Sequence, residues 1–162
     1  MTATTATLRM TYLLRSIGGV SRVYGGPGMD EREMRRRVDG ARVARLATVG
    51  PDGRPHLVPC CFSLVGGVVY SAVDAKPKST IALRRLANLR ANPHASMLVD
   101  HYSDDWSTLW WVRIDGEGRV LDDGPERADA IAVLTHKYPI YAVEPPPGAV
   151  VAIDVTAWRA WP

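Results

Sequence analysis

The sequence predicts a mainly β domain with peripheral helices, arranged as a small antiparallel barrel. Three observations carry that expectation. Six short apolar or alternating runs are separated by turn signals such as Pro51-Asp52-Gly53 and Gly66-Gly67, which is the pattern of successive hairpins. Two other segments repeat apolar residues at helical spacing. Hydrophobic residues make up 46% of the 162 and charged ones 23%, enough apolar material for one core and too much for a disordered chain. No apolar run approaches the roughly 20 residues of a membrane helix.

The elements follow in order. Asp30 is placed to cap a helix over 30–38, with acids in its first turn. Residues 42–49 alternate and meet Pro51-Asp52-Gly53, and 56–64 form the return strand. On that strand Val58, Cys60, Phe62 and Leu64 share one face, while Leu57, Pro59, Cys61 and Val65 share the other. Both faces are apolar, so the strand is expected to be covered on both sides. Gly66-Gly67 turns into a strand at 68–73. Ser79 caps a helix to about Ala91, which Asn92-Pro93 stops. Strands at 94–101 and 109–121 come next. Gly124-Pro125-Glu126 opens a third helix with proline at its first position, its apolar stripe running through Ala128, Ile131, Leu134 or Thr135, and Tyr138. Pro145-Pro146-Pro147 is a stiff loop before the closing strand at 149–158.

Charge is divided unevenly. The net charge is +3. Arg9, Arg15 and Arg22 lie in residues 1–28, which hold no acid; the other 17 basic residues balance the 17 acids. A grip on a nucleic-acid backbone needs a basic surface, and residues 29–162 have no basic excess. No nucleic-acid partner is expected, and no membrane partner. Residues 1–28 lack the continuous apolar stretch of a signal peptide, roughly 7–15 residues. They are expected to be a disordered extension, or sequence upstream of a working start at Met29. Residues 29–162 are the expected domain.

Cys60 and Cys61 are adjacent, so strand alternation sends them to opposite faces. They read as small apolar side chains in a reducing cytoplasm. The four histidines, at 56, 94, 101 and 136, have no metal-ligand spacing, and no structural metal is expected.

Two segments bear chemistry. In DAKPKSTIALRRLANLRANP, Lys76 and Lys78 precede the Ser79 cap, and Arg84 and Arg85 sit in the helix. At about 100° per residue, Arg84, Arg85 and Asn88 share one arc, while Ala82, Leu86 and Leu89 face the core. A helix start with free N–H groups, Lys, Ser79, Thr80 and an Arg pair makes a phosphate site; the same residues also make a solvated basic face. The second segment, DHYSDDWSTLWWVRIDG, holds Trp106, Trp110 and Trp111. Aromatics this dense pack a core or dimer interface, or wall a planar cofactor ring. Arg113 lies in the same strand. No catalytic triad or carboxylate pair stands out, so no catalytic residue is assigned.

The stretches ARLATVGPDGRPHLVP, VVYSAVDAKPKST, RRLANLRANPHASMLVD, HYSDDWSTLWWVRIDG and VVAIDVTAW, in that order, resemble the pyridoxamine 5'-phosphate oxidase-like split-barrel superfamily. Within it they are most similar to the oxidoreductases that use the deazaflavin coenzyme F420. The likeness runs from about Met29 to Trp161. It implies a split β-barrel and a homodimer with the cofactor in a groove between subunits. It also implies hydride transfer between the deazaflavin and a small organic substrate; the alternatives are an FMN-dependent oxidase or reductase of the same fold and a non-catalytic cofactor-binding dimer. In flavin-using relatives an Arg-Lys pair seven to eight positions before the Asn of the Asn-Pro stop holds the phosphate; counting back from Asn92 reaches Arg84 and Arg85. An aromatic-hydroxyl pair matches Tyr70-Ser71. The Lys76–Thr80 stretch is longer than in the flavin enzymes and suits an acidic polyglutamate tail. The implied cofactor-binding set is Val58, Cys60, Tyr70, Ser71, Lys76, Lys78, Ser79, Thr80, Arg84 and Arg85, with Trp106, Trp110 and Arg113 approaching from the partner chain. His101, Tyr102, Asp104 and Asp105 are the candidates for relaying a proton.

Overall fold

The computed structural model describes residues 22–25, 28–74 and 80–161, with side chains placed for 28–74 and 84–161. In chain order the elements are β1 (Arg22–Gly25), α1 (Glu31–Gly40), β2 (Ala44–Val49), β3 (Pro55–Cys60), β4 (Ser63–Val65), β5 (Val68–Ala72), α2 (Thr80–Ala91), β6 (His94–His101), β7 (Trp110–Leu121), α3 (Pro125–Lys137), α4 (Ile140–Val143) and β8 (Val150–Trp161). One sheet runs in the order β3-β2-β6-β7-β8-β5-β4, antiparallel throughout, with β1 added in parallel to β8. The sheet curls into a half-barrel. Cys60 of β3 lies beside Ser71 of β5, although the two strands are near opposite ends of the sheet order. This is a mainly β split barrel.

Local chemistry sets the helix starts. Asp30 accepts from the Glu33 amide at 2.8 Å, closing the first turn of α1. Pro125 opens α3 after Gly124, whose φ of 89° suits glycine. The stripe that α3 buries is Ala130 and Leu134, continued by Tyr138; Ala128 is exposed.

Two clusters share the core. Met34 and Val38 of α1, Leu86 and Leu89 of α2, and the inward residues of the strands, including Leu46, Met97, Ile114 and Trp158, fill the barrel. On the other face of β5 and β8, Tyr70, Ala130, Leu134, Tyr138 and Tyr141 pack together. The first four residues of β8 are therefore buried on both faces.

Two expectations change. The strand expected over 56–64 is broken into β3 and β4. The Tyr138 hydroxyl accepts from the Phe62 amide at 3.0 Å and sits 2.9 Å from the Phe62 carbonyl, taking the groups a continuous ladder would use. Nor is β3 covered on both sides. It is an edge strand whose Leu57 is 65% exposed; the doubly buried strand is the start of β8. Arg22–Gly25, which precede the expected domain at 29–162, form β1. They pair with the far half of β8, Arg22 opposite Ala157 and Gly25 opposite Ala160. There β5 no longer reaches, since it pairs only as far as Asp154, and the open edge takes another strand. Residues 1–21 lie outside the described residues.

Candidate functional site

Alternation along two strands and one turn of α2 build the site. On β3, His56, Val58 and Cys60 are opposite Thr48, Leu46 and Ala44 of β2. Those three are buried, so that face of β3 points into the barrel. On β5, Ser71 shares the inward face with Val69. α2 lies across β2 and β7. Asn88 Nδ2 donates to Thr48 Oγ1 at 3.0 Å. Leu89 packs on Gly118, where a Cβ would come within 2.5 Å of Leu89 Cδ2. Leu86 and Leu89 face the core as expected, but the arc containing Arg84, Arg85 and Asn88 does not face solvent as a unit. Asn88 and Arg85 are buried, at 3% and 9% exposure, while Arg84 is exposed. The Thr48 bond turns that side of the helix inward.

Among the described residues, three buried polar atoms here have no hydrogen-bond partner: His56 Nδ1, Ser71 Oγ and Arg85 Nε. Buried polar groups are normally satisfied, so three orphans around one interior mark a place for a ligand. Two of them are obligate or ready donors. Burial lowers the His56 pKa, and the positive charges of Arg84 and Arg85 push it the same way. Burial raises the Cys60 pKa against weaker opposite pulls from the Ser71 hydroxyl and the Arg85 charge. A thiol is a poor partner, so its presence beside Ser71 leaves that hydroxyl unsatisfied. Positive field, buried donors and an apolar wall at Val58 together suit an anion.

The structure thus brings together Val58, Cys60, Ser71 and Arg85, with the Arg84 charge within reach. Tyr70 is on the opposite face of β5, where its hydroxyl donates to Glu126 Oε1 at 3.2 Å, so the structure does not bring its side chain together with that of Ser71. Lys76, Lys78 and Ser79 lie outside the described residues, as does the side chain of Thr80. Trp106, Trp110 and Arg113 belong to the far end of the β6–β7 hairpin. Trp110 is eight residues along β7 from Gly118, roughly 27 Å at about 3.4 Å each. Trp106 is 73% exposed. Trp110 stacks with His101 at 6.3 Å and carries the Arg37 guanidinium at 4.9 Å. Arg113 pairs with Asp115 at 3.1 Å. Of the proton-relay candidates, Tyr102 is exposed and Asp105 accepts from the Ser107 amide and hydroxyl; that hydroxyl and amide hold its pKa down.

Sequence reasoning missed His56 as a site residue. The signal was present: it stands two and four positions before Val58 and Cys60, on the same face. It missed too that Asn88 is the tether. Elsewhere, Arg119 binds Glu126 and Asp154, at 2.9 and 2.6 Å. Among the described residues no three His, Cys, Asp or Glu side chains converge as a metal site, and no helix is long and apolar enough to cross a membrane.

The fold has relatives. A conserved hypothetical protein of Mycobacterium tuberculosis, Rv2991, superposes with a TM-score of 0.66 at 24% identity, over 82% of this chain and 84% of that one. An FAD-binding protein of Mesorhizobium loti matches at 0.61 and 23%, over 82% and 94%. HutZ, the heme storage protein of Vibrio cholerae, matches at 0.57 and 16%, over 77% and 85%. No curated protein matches the sequence. The family model described as pyridoxamine 5'-phosphate oxidase matches residues 30–162, the whole of the barrel except β1. The chain belongs to the pyridoxamine 5'-phosphate oxidase family.

Proposed function

We propose that the chain is an oxidoreductase that uses coenzyme F420, acts on a small organic substrate and works as a homodimer in the cytoplasm. The observation that carries the reading is the pair of buried donors Arg85 Nε and Ser71 Oγ, unpartnered among the described residues and both near Cys60 in one inward-facing site. They fit the phosphate that flavins and deazaflavins share. When bound, such a cofactor supplies hydride transfer, and the protein supplies position and electrostatics.

Each residue then has a part. Arg85 and Ser71 hold the phosphate. Val58 and Cys60 form an apolar floor that excludes water and strengthens those bonds. Asn88 fixes the helix that carries Arg85. Arg84, exposed beside it, adds charge at the entrance. The deazaflavin is favoured over FMN by Lys76 and Lys78, which precede α2 and suit an acidic tail. The outward face of the barrel supports the homodimer. Leu57, Leu98 and Trp161 are exposed there, at 65, 36 and 47%, among the Arg45–Asp100 and Arg113–Asp115–Arg159 ion pairs of the same face, a mixed apolar and charged surface of the kind that a second copy covers. The two cysteines are free, in keeping with a reducing compartment.

Fluorescence titration of the purified protein with F420 and with FMN tests the reading. Saturable binding of F420, tighter than FMN, is expected. Tighter binding of FMN overturns the deazaflavin assignment, and binding of neither overturns the cofactor site.

A further inference from the structure

We infer that His56 is an anion-contacting residue of this site that takes up a proton when the cofactor's phosphate binds, so that binding is proton-coupled. The inference rests on the reading of the site as a phosphate pocket.

The geometry comes first. His56 is on the inward face of β3, opposite Thr48, and its Nδ1 is buried without a partner, like Arg85 Nε and Ser71 Oγ. Neighbouring groups do not fill the vacancy. The Thr48 hydroxyl is engaged by Asn88 on α2. Cys60 is on the same face of β3, and Ser71 of β5 sits against Cys60. Asp52 and Arg54, in the turn before β3, pair with each other at 3.6 Å and are exposed. Among the described residues the charges acting on His56 are those of Arg84 and Arg85. Both are positive.

In the ligand-free protein the imidazolium is disfavoured, because burial and two cations both oppose protonation. An anion seated on Arg85 reverses the balance. It offsets the guanidinium charge and gives Nδ1–H an acceptor, and both changes favour the imidazolium. A group that gains proton affinity on binding must tighten binding as the proton concentration rises. The sign is fixed: affinity increases as pH falls through the range between the empty and occupied titration midpoints of His56. Each tenfold gain in proton affinity appears as up to about tenfold in cofactor affinity. A pocket built from arginine and hydroxyl groups alone has no such dependence near neutrality.

The test measures F420 affinity of the wild type and of His56→Gln at about pH 6 and about pH 8, where an unperturbed histidine titrates. The ratio between the two proteins removes any titration of the cofactor itself. The wild type is expected to gain about tenfold more than the variant on going to the lower pH. In parallel, the His56 ring proton signal of the wild type is followed by NMR against pH, with and without saturating F420. Its midpoint is expected to rise on saturation. An equal pH response in the two proteins, or an unchanged midpoint with F420 bound, overturns the inference while leaving the cofactor reading intact. Absence of F420 and FMN binding at both pH values overturns the cofactor reading and this inference with it.

Discussion

Asn88 of α2 donates to the Thr48 hydroxyl of β2 at 3.0 Å, with both side chains buried. This one bond decides what α2 presents to the barrel. Arg85 lies almost a full turn before Asn88, on the same side of the helix. Pinning Asn88 to the sheet therefore carries Arg85 into the interior, while Arg84, one residue earlier, stays outside. The tether and the candidate anion site are one construction.

Replacing Asn88 with Ala is expected to cost about 1–3 kcal/mol, because the Thr48 hydroxyl is left buried and unsatisfied. Urea denaturation of the ligand-free protein measures it. F420 affinity falls as well, since Arg85 loses its orientation. A variant with wild-type stability would mean that α2 is held by Leu86 and Leu89 alone.

Tyr138→Phe probes the break between β3 and β4. Its hydroxyl serves the Phe62 amide at 3.0 Å and lies 2.9 Å from the Arg42 and Phe62 carbonyls. Losing it strands buried backbone groups, at a cost of about 1–3 kcal/mol. A thermal melt showing no change would contradict the account of why this strand is interrupted.

Most of the framework is legible in the sequence, because strand alternation and turn chemistry are local. Pro51-Asp52-Gly53 and Gly66-Gly67 fall between strands, β6 covers His94–His101 as expected, and Pro125 opens α3. What escapes is whatever depends on distant partners. The reach of Tyr138 across 76 residues to Phe62 breaks a strand whose own pattern reads as continuous. The edge position of β3 follows from sheet order, which a local pattern does not encode. Arg85 and Asn88 read as a polar arc facing water until Thr48 is known to lie under them. His56 looks like one of four unremarkable histidines until β2 supplies its register.

The lowered pKa of His56 has a sign for stability in the ligand-free protein. A histidine kept neutral by folding is protonated more readily in the unfolded chain. Stability from this residue is therefore complete above the ordinary histidine value, about 6.5, and falls as pH drops through it and below. Chemical denaturation at about pH 8 and about pH 5.5 is expected to show a smaller loss for His56→Gln than for the wild type. Identical losses would place the ring in solvent.

Leu57→Asp tests the homodimer. The residue is 65% exposed on the edge strand β3 and faces away from the core, so the monomer fold tolerates the change. Sedimentation is expected to give a dimer for the wild type and a shift toward monomer for the variant. A wild type that is monomeric at micromolar concentration would contradict the proposal.

The most direct test of the central claim, that the inward-facing Arg85 holds the cofactor's phosphate, is the F420 dissociation constant of Arg85→Ala against that of the wild type. A charge-assisted contact of about 1.5–3 kcal/mol predicts a loss of roughly 10- to 150-fold. The ligand-free melting temperature is expected not to fall, since Arg85 Nε is buried and unpartnered among the described residues and a buried polar group without a partner costs stability. Equal dissociation constants for the two proteins would contradict the claim.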